Sequence, residues 1–261
     1  MFQVCVLASG SKGNSAIIRT ENTKIMLDAG LSGSKLAKLM QQAGMDETKL
    51  DAVMISHEHS DHIGGAGVMC RRYNIPLYIS DQTYLVSQKK LGKLPAGVKY
   101  IGSSDSFLIG DIKVTTFPSS HDVVDGTNFV FQKEGEPDRK LAFATDLGYT
   151  SRFTLLKFKE ASTIVLESNH DEKMLHEGPY PWHLKQRVKS NQGHLSNNQA
   201  VGFVGQIVHP GLKNIILAHL SEQNNDPKLA EDLMRGFLNS INFTTNLKVA
   251  SQYEPTGLID I

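Results

Sequence analysis

Apolar residues recur along this chain with two different periods. Alternating or continuous apolar runs at residues 3–8, 15–19, 24–28 and 52–56 predict β-strands, because side chains on an extended backbone alternate between two faces. Between the last two runs, residues 31–43 repeat their apolar positions at the three- and four-residue spacing of one helical face. The same reading predicts helices through 67–73, 81–90, 182–189, 197–208 and 226–240, and strands at 77–80, 163–167, 214–218 and 247–250. Two hairpins are expected: 106–109 with 112–117 across Gly110 and Asp111, and 127–133 with 140–145 around residues 134–138. Periodicity alone therefore gives an α+β protein.

At 261 residues the chain is near the upper limit for one hydrophobic core, and it carries no internal repeat, low-complexity tract or linker. One domain spanning 1–261 is expected. The apolar runs are strand-length, far short of the ~18 residues of a membrane span, and the N-terminus lacks a basic region followed by a long apolar one. A cytoplasmic protein with no membrane partner is expected. Lys and Arg number 27 and Asp and Glu number 27, so any binding of a polyanion must be local. Cys5 and Cys70, the only cysteines, read as small buried apolar residues without a disulfide framework. Trp182, the only tryptophan, precedes His183, Lys185, Arg187 and Lys189. It reads as a core anchor, since charges spaced two apart scatter around a helix.

The candidate chemistry follows the strand at 52–56. His57-Glu58-His59-Ser60-Asp61-His62 sets four potential metal ligands within six residues. Imidazole suits zinc and its first-row neighbours, and carboxylates add negative charge and hard oxygen. On an extended backbone His57 and His59 point to one side and Asp61 shares their parity, while His62 falls where the chain must turn. A solvated turn or a single structural zinc are the plain alternatives. Four ligand types after a buried strand, in a chain with too few cysteines for a thiolate site, favour an open metal centre.

This string matches the HxHxDH signature of the metallo-β-lactamase superfamily. His121 after the run 112–117, Asp146 after 141–145 and His219 after 215–218 stand in the order in which that superfamily places its remaining ligands. The resemblance implies an αββα sandwich of two mixed β-sheets flanked by helices. It assigns His57, His59 and His121 to one metal, Asp61, His62 and His219 to a second, and Asp146 to a bridge. Two divalent ions, Zn or Mn with Fe also admissible, would lower the pKa of a bridging water to about 7 and make it the nucleophile, with Asp146 and Asp61 orienting it. The lactamases themselves generally lack the bridging aspartate and use a cysteine ligand, so the set favours phosphodiester or ester cleavage.

Longer strings narrow the resemblance. Residues 8–15, Glu167-Ser168-Asn169-His170-Asp171, 184–188 and Gly193-His194-Leu195-Ser196-Asn197 are similar to the bacterial WalJ/YycJ (VicX) proteins almost end to end. These are metal-dependent nucleases with 5′ to 3′ exonuclease action on DNA, and their ligand set resembles that of ribonuclease Z. The resemblance implies a nucleic acid substrate, with His194 as proton donor to the leaving 3′-oxygen and Glu167 orienting it. Ser11, Lys12 and Asn14 in the Gly-rich loop, and Ser221 and Asn224 after His219, are candidates to hold substrate phosphate. A plain hairpin connection and the capping of the following helix explain those two stretches equally well. A thioester or lactone hydrolase of the glyoxalase II type shares the seven ligands. A regulatory or scaffolding protein stiffened by metal is the reading from another class. The sequence does not give the oligomeric state.

Overall fold

The computed structural model describes residues 1–46 and 49–261. Its architecture follows from the parity of its first strand. In β1 (Phe2–Ala8), Phe2, Val4 and Val6 enter one core while Cys5 and Leu7 enter another. A strand buried on both faces is apolar at nearly every position, as β1 is.

The remaining strands are β2 (Ser15–Thr20), β3 (Lys24–Leu27), β4 (Ala52–Met54), β5 (Leu77–Ile79), β6 (Val98–Tyr100), β7 (Ser106–Ile109), β8 (Ile112–Pro118), β9 (Thr127–Lys133), β10 (Glu136–Ala144), β11 (Thr163–Glu167), β12 (Asn214–Ala218), β13 (Asn246–Val249) and β14 (Ile259–Asp260). They form two seven-stranded mixed sheets, ordered β14-β1-β2-β3-β4-β5-β6 and β13-β12-β11-β10-β9-β8-β7. The inner faces pack on each other through Val4, Ile18, Leu27, Met54, Val114, Phe129, Phe131, Phe143, Val165 and Ile216. The outer face of the first sheet is covered by α1 (Gly33–Gln42), α3 (Ala66–Tyr73) and α4 (Asp81–Leu91), and that of the second by α5 (Arg152–Phe158), α8 (Asn197–Ile207) and α9 (Pro227–Ser240). The layers are helix, sheet, sheet, helix, as the resemblance implied.

Differences from the expected elements have local causes. β6 and β14 are two or three residues long, too short to show a period, and α2 (Ser60–Ile63) and α6 (Glu172–Glu177) occupy barely a turn or two. The seven-residue helix after β10, α5, opens on a Ser151 side chain that accepts from the Thr154 N–H. The expected loop 134–138 shrinks to Glu134-Gly135, with Gly135 at φ 78°, and Pro137 lies within β10. There the register shifts between Glu136 and Lys140, so the missing N–H of Pro137 leaves no ladder position unfilled. Trp182 opens α7 (Trp182–Lys189) 65% exposed and is not a core anchor, because only Val188 of that helix is buried.

Cys5 and Cys70 are free and buried. Among the described residues no helix is long and apolar enough to cross a membrane.

Phe129 and Phe131 share one face of β9, with ring centroids 6.0 Å apart in the contact between the sheets. Phe131→Ala is expected to cost about 3–5 kcal/mol of unfolding free energy in urea titration. A loss below about 1 kcal/mol would show that the two sheets do not depend on this contact.

Candidate metal centre

Strand direction sets where chemistry can gather. β3 and β4 are parallel, and β10, β11 and β12 are parallel, so within each sheet these strands deliver their C-terminal ends to one rim. β8 points the same way as β10, because both pair antiparallel with β9. The rim receives Asp28 after β3, His57 after β4, His121 after β8, Asp146 after β10, Glu167 closing β11 and His219 after β12. Three of these leave the strand in the left-handed region: Asp28 at φ 56°, Asp146 at 57° and His219 at 57°. Such a backbone costs of order 1–2 kcal/mol per L-residue and persists only when its surroundings hold it. For His219 they do: its N–H donates to Ser9 Oγ at 2.8 Å and its carbonyl accepts from Asn169 Nδ2 at 2.8 Å.

The side chains converge. His57, His59 and His121 form one set of ligand atoms lying within 4.8 Å of one another, and Asp61, His62 and His219 form another. Asp146 reaches both: Oδ2 lies 3.3 Å from His62 Nε2 and Oδ1 lies 3.7 Å from His121 Nε2. The extended alternation holds for His57 and His59 but ends there. From Ser60 the chain turns into α2, which groups Asp61 with His62 rather than with the preceding histidines. The close approach needs Gly30, where a Cβ would fall 1.6 Å from the Asp61 carbonyl oxygen.

Three rings are oriented through the nitrogen turned away from the cluster. His62 Nδ1 lies 2.8 Å from Asp28 Oδ2, His121 Nδ1 3.0 Å from the Gly193 carbonyl, and His219 Nδ1 2.8 Å from Glu167 Oε1. Ser56 Oγ donates to Asp28 Oδ2 and lies 3.0 Å from His57 Nδ1. Among the described residues, three buried atoms here have no hydrogen-bond partner: His57 Nε2, His219 Nε2 and Asp146 Oδ2. Buried polar atoms left bare cost free energy unless something fills the space between them. Burial opposes charge on His62, yet the carboxylates of Asp146 and Asp28 lift it to about 9, and burial of His219 is likewise outweighed by Asp146. Burial, with repulsion from His62 and His121, holds His57 well below its usual value. The cluster attracts positive charge on one side and excludes protons on the other. A divalent cation satisfies both demands, and the donor set fits one.

The beta-lactamase superfamily domain matches residues 23–219. The chain belongs to that superfamily. Within it, the chain is 40% identical over 226 residues to exodeoxyribonuclease YycJ of Bacillus anthracis, covering 86% of this chain and 84% of that protein. It is 39% identical over 238 residues to exodeoxyribonuclease WalJ of Streptococcus pneumoniae serotype 2, covering 89% and 87%. It is therefore a member of the YycJ/WalJ group. The metallo-beta-lactamase fold protein YhfI of Bacillus subtilis superposes with a TM-score of 0.72 at 16% identity, covering 97% of this chain and 98% of that one, a likeness of fold.

Other residues of this superfamily member fall into place around the cluster. A cleft of about 190 Å³ opens onto it, and His194, Ser11 and Ser221 line this space. His194 Nδ1 lies 2.8 Å from Glu167 Oε1. Glu167 is fully buried and its carboxylate also accepts from the Leu147 and Leu195 N–H groups, so it stands behind the rings of His194 and His219.

Three of the candidate phosphate contacts are engaged with other residues of the chain. Asn14 is buried, donating to the Gly10 carbonyl and to Asp61 Oδ2 and lying 3.0 Å from His62 Nε2, so it braces the ligand loop. Lys12 is turned to Glu222 Oε2 at 2.7 Å and to the Tyr253 hydroxyl, outside the cleft. Asn224 is buried beside Ser221. Sequence reasoning missed Asp28 and Ser56. The signal was present, since a metal-binding imidazole usually gives its second N–H to an acceptor and Asp28 directly follows the strand beside β4.

Asp28→Asn keeps the shape and tolerates the left-handed backbone, but loses the charge behind His62. It is expected to weaken divalent-ion affinity about 10–100-fold in a chelator competition assay. Unchanged affinity would reduce Asp28 to a turn residue.

Proposed function

We propose that this chain is a metal-dependent phosphodiesterase that degrades DNA from an end, in the 5′ to 3′ direction. One observation carries the proposal: seven side chains from two sheets, His57, His59, Asp61, His62, His121, Asp146 and His219, bring ligand atoms to one small volume, and three of them, His57, Asp146 and His219, hold a buried atom there with no hydrogen-bond partner. The identity to YycJ and WalJ, whose names give them as exodeoxyribonucleases, supports the substrate class. Residues 1–261 act as one unit in this reading, because the ligands come from both sheets. The ligand set divides into two triads sharing Asp146, which supports two divalent ions, zinc or manganese, with iron accepted by the same donors. Two buried free thiols accord with a reducing, cytoplasmic setting.

Bound divalent ions would supply Lewis-acid polarisation of the phosphoryl group and an acidic water near neutral pH. The chain's own groups do the rest. Asp61, with its carboxyl held below the usual range against burial by His219 and His62, stays ionised at the mouth of the cluster. His194 keeps its Nδ1–H on Glu167 and turns Nε2 to the cleft, where it donates a proton to the departing 3′-oxygen. The Glu167 carboxylate holds the ring in place for this role. The narrow cleft excludes bulk water, and Ser11 and Ser221 offer hydroxyls at its walls.

Purified protein supplied with Mn²⁺ or Zn²⁺ is expected to shorten end-labelled DNA progressively. Asp146→Ala should abolish the activity together with metal binding, and hydrolysis confined to thioesters would replace the nuclease reading. His194→Ala should lower kcat by about 10²–10⁴-fold with metal content intact. Metal loss in that variant would make His194 a ligand instead.

A further inference from the structure

Above the metal centre, Tyr180 and the α7 residues Leu184, Arg187 and Val188 line the cleft. Within α7, Arg187 and Val188 follow Leu184 by three and four residues, the spacing of a single helical stripe. His183, Lys185 and Lys189 lie off that stripe, and Lys185 Nζ is bonded to the His176 carbonyl. Arg187 is thus the one Lys or Arg among the described residues that line the cleft, which otherwise carries Asp61 and Asp146. Its Nε donates to Asp122 Oδ2, and the other Asp122 oxygen, buried and without a hydrogen-bond partner, sits 3.3 Å from His121 Nε2. The guanidinium is therefore fixed by one nitrogen beside the ligand loop. Its two terminal nitrogens have no hydrogen bond among the described residues, and the side chain is 52% exposed.

We infer that Arg187 is the phosphate-gripping residue of this site, its free fork closing on the backbone phosphate next to the scissile one while Asp122 holds Nε. The inference rests on the nuclease reading and adds to it the residue that recognises the strand. A planar fork matches two phosphate oxygens, and a pre-oriented one loses little freedom on binding. An exposed ion pair contributes little to stability, so the Arg187–Asp122 contact does not by itself account for an arginine held over this cleft.

The test is binding of a phosphorothioate single-stranded oligonucleotide to the metal-loaded protein, followed by fluorescence anisotropy across a salt series. Arg187→Ala should weaken binding about tenfold at low salt and reduce the slope of log K against log salt by roughly 0.7, the share of one phosphate contact on a single strand. Arg187→Lys should keep the slope while losing part of the affinity, since the charge stays and the fork goes. Hydrolysis of bis(4-nitrophenyl) phosphate, which has no neighbouring phosphate, should fall by a smaller factor than oligonucleotide binding in both variants. An unchanged slope in Arg187→Ala, or an equal loss on the small diester, overturns the assignment and leaves the nuclease reading intact. Failure of the unsubstituted protein to cleave DNA, with the slope change present, overturns the nuclease chemistry and leaves the strand contact standing.

Discussion

Everything at the rim depends on one buried carboxylate. Glu167 closes β11 with no exposed surface and accepts four hydrogen bonds, from the rings of His194 and His219 and from the N–H groups of Leu147 and Leu195. A carboxylate that deep is costly unless its lone pairs are filled, and then it becomes a rigid joint. Burial pushes its pKa up, but His194 and His219 pull it below the usual carboxylate range, so the group remains charged. It fixes the segment after β10, the loop before α8 and the end of β12 relative to one another.

The first sheet has its own counterpart. Asp28 accepts from the Ser56 N–H and hydroxyl and from His62, and so holds the ligand loop much as Glu167 holds the opposite wall. Both carboxylates sit at strand ends, and the residues that turn inward there, Asp28, Asp146 and His219, adopt a left-handed backbone. Strain concentrated at these three positions is balanced by the sheets behind them, whose facing cores are continuous and apolar.

The parts legible in the sequence were those written in contiguous residues. His57 to His62 form one string, and His121, Asp146 and His219 each follow a strand with a clear apolar run, in the order that the resemblance to the superfamily implied. Asn14, Lys12 and Asn224 take partners, Asp61, Glu222 and Ser221, that are set by how loops pack rather than by local pattern. Glu167 was paired correctly with His194, yet the two backbone donors that saturate it come from segments about twenty and twenty-eight residues away in the chain. Trp182 was misplaced because a lone aromatic does not tell whether its helix is covered. The sandwich itself came from the resemblance, since alternation alone cannot say which strands pair.

The division of the ligands between the two sheets bears on how the protein is made. During synthesis the histidine string of the first sheet leaves the ribosome well before β10 and β12 exist, and Asp146 and His219 cannot close on it until the second sheet docks. A nascent or truncated chain therefore lacks a working centre. Latency of this kind arises from topology alone, without an inhibitor or a propeptide, and a cell gains a hydrolytic catalyst only once the last long-range contacts have formed.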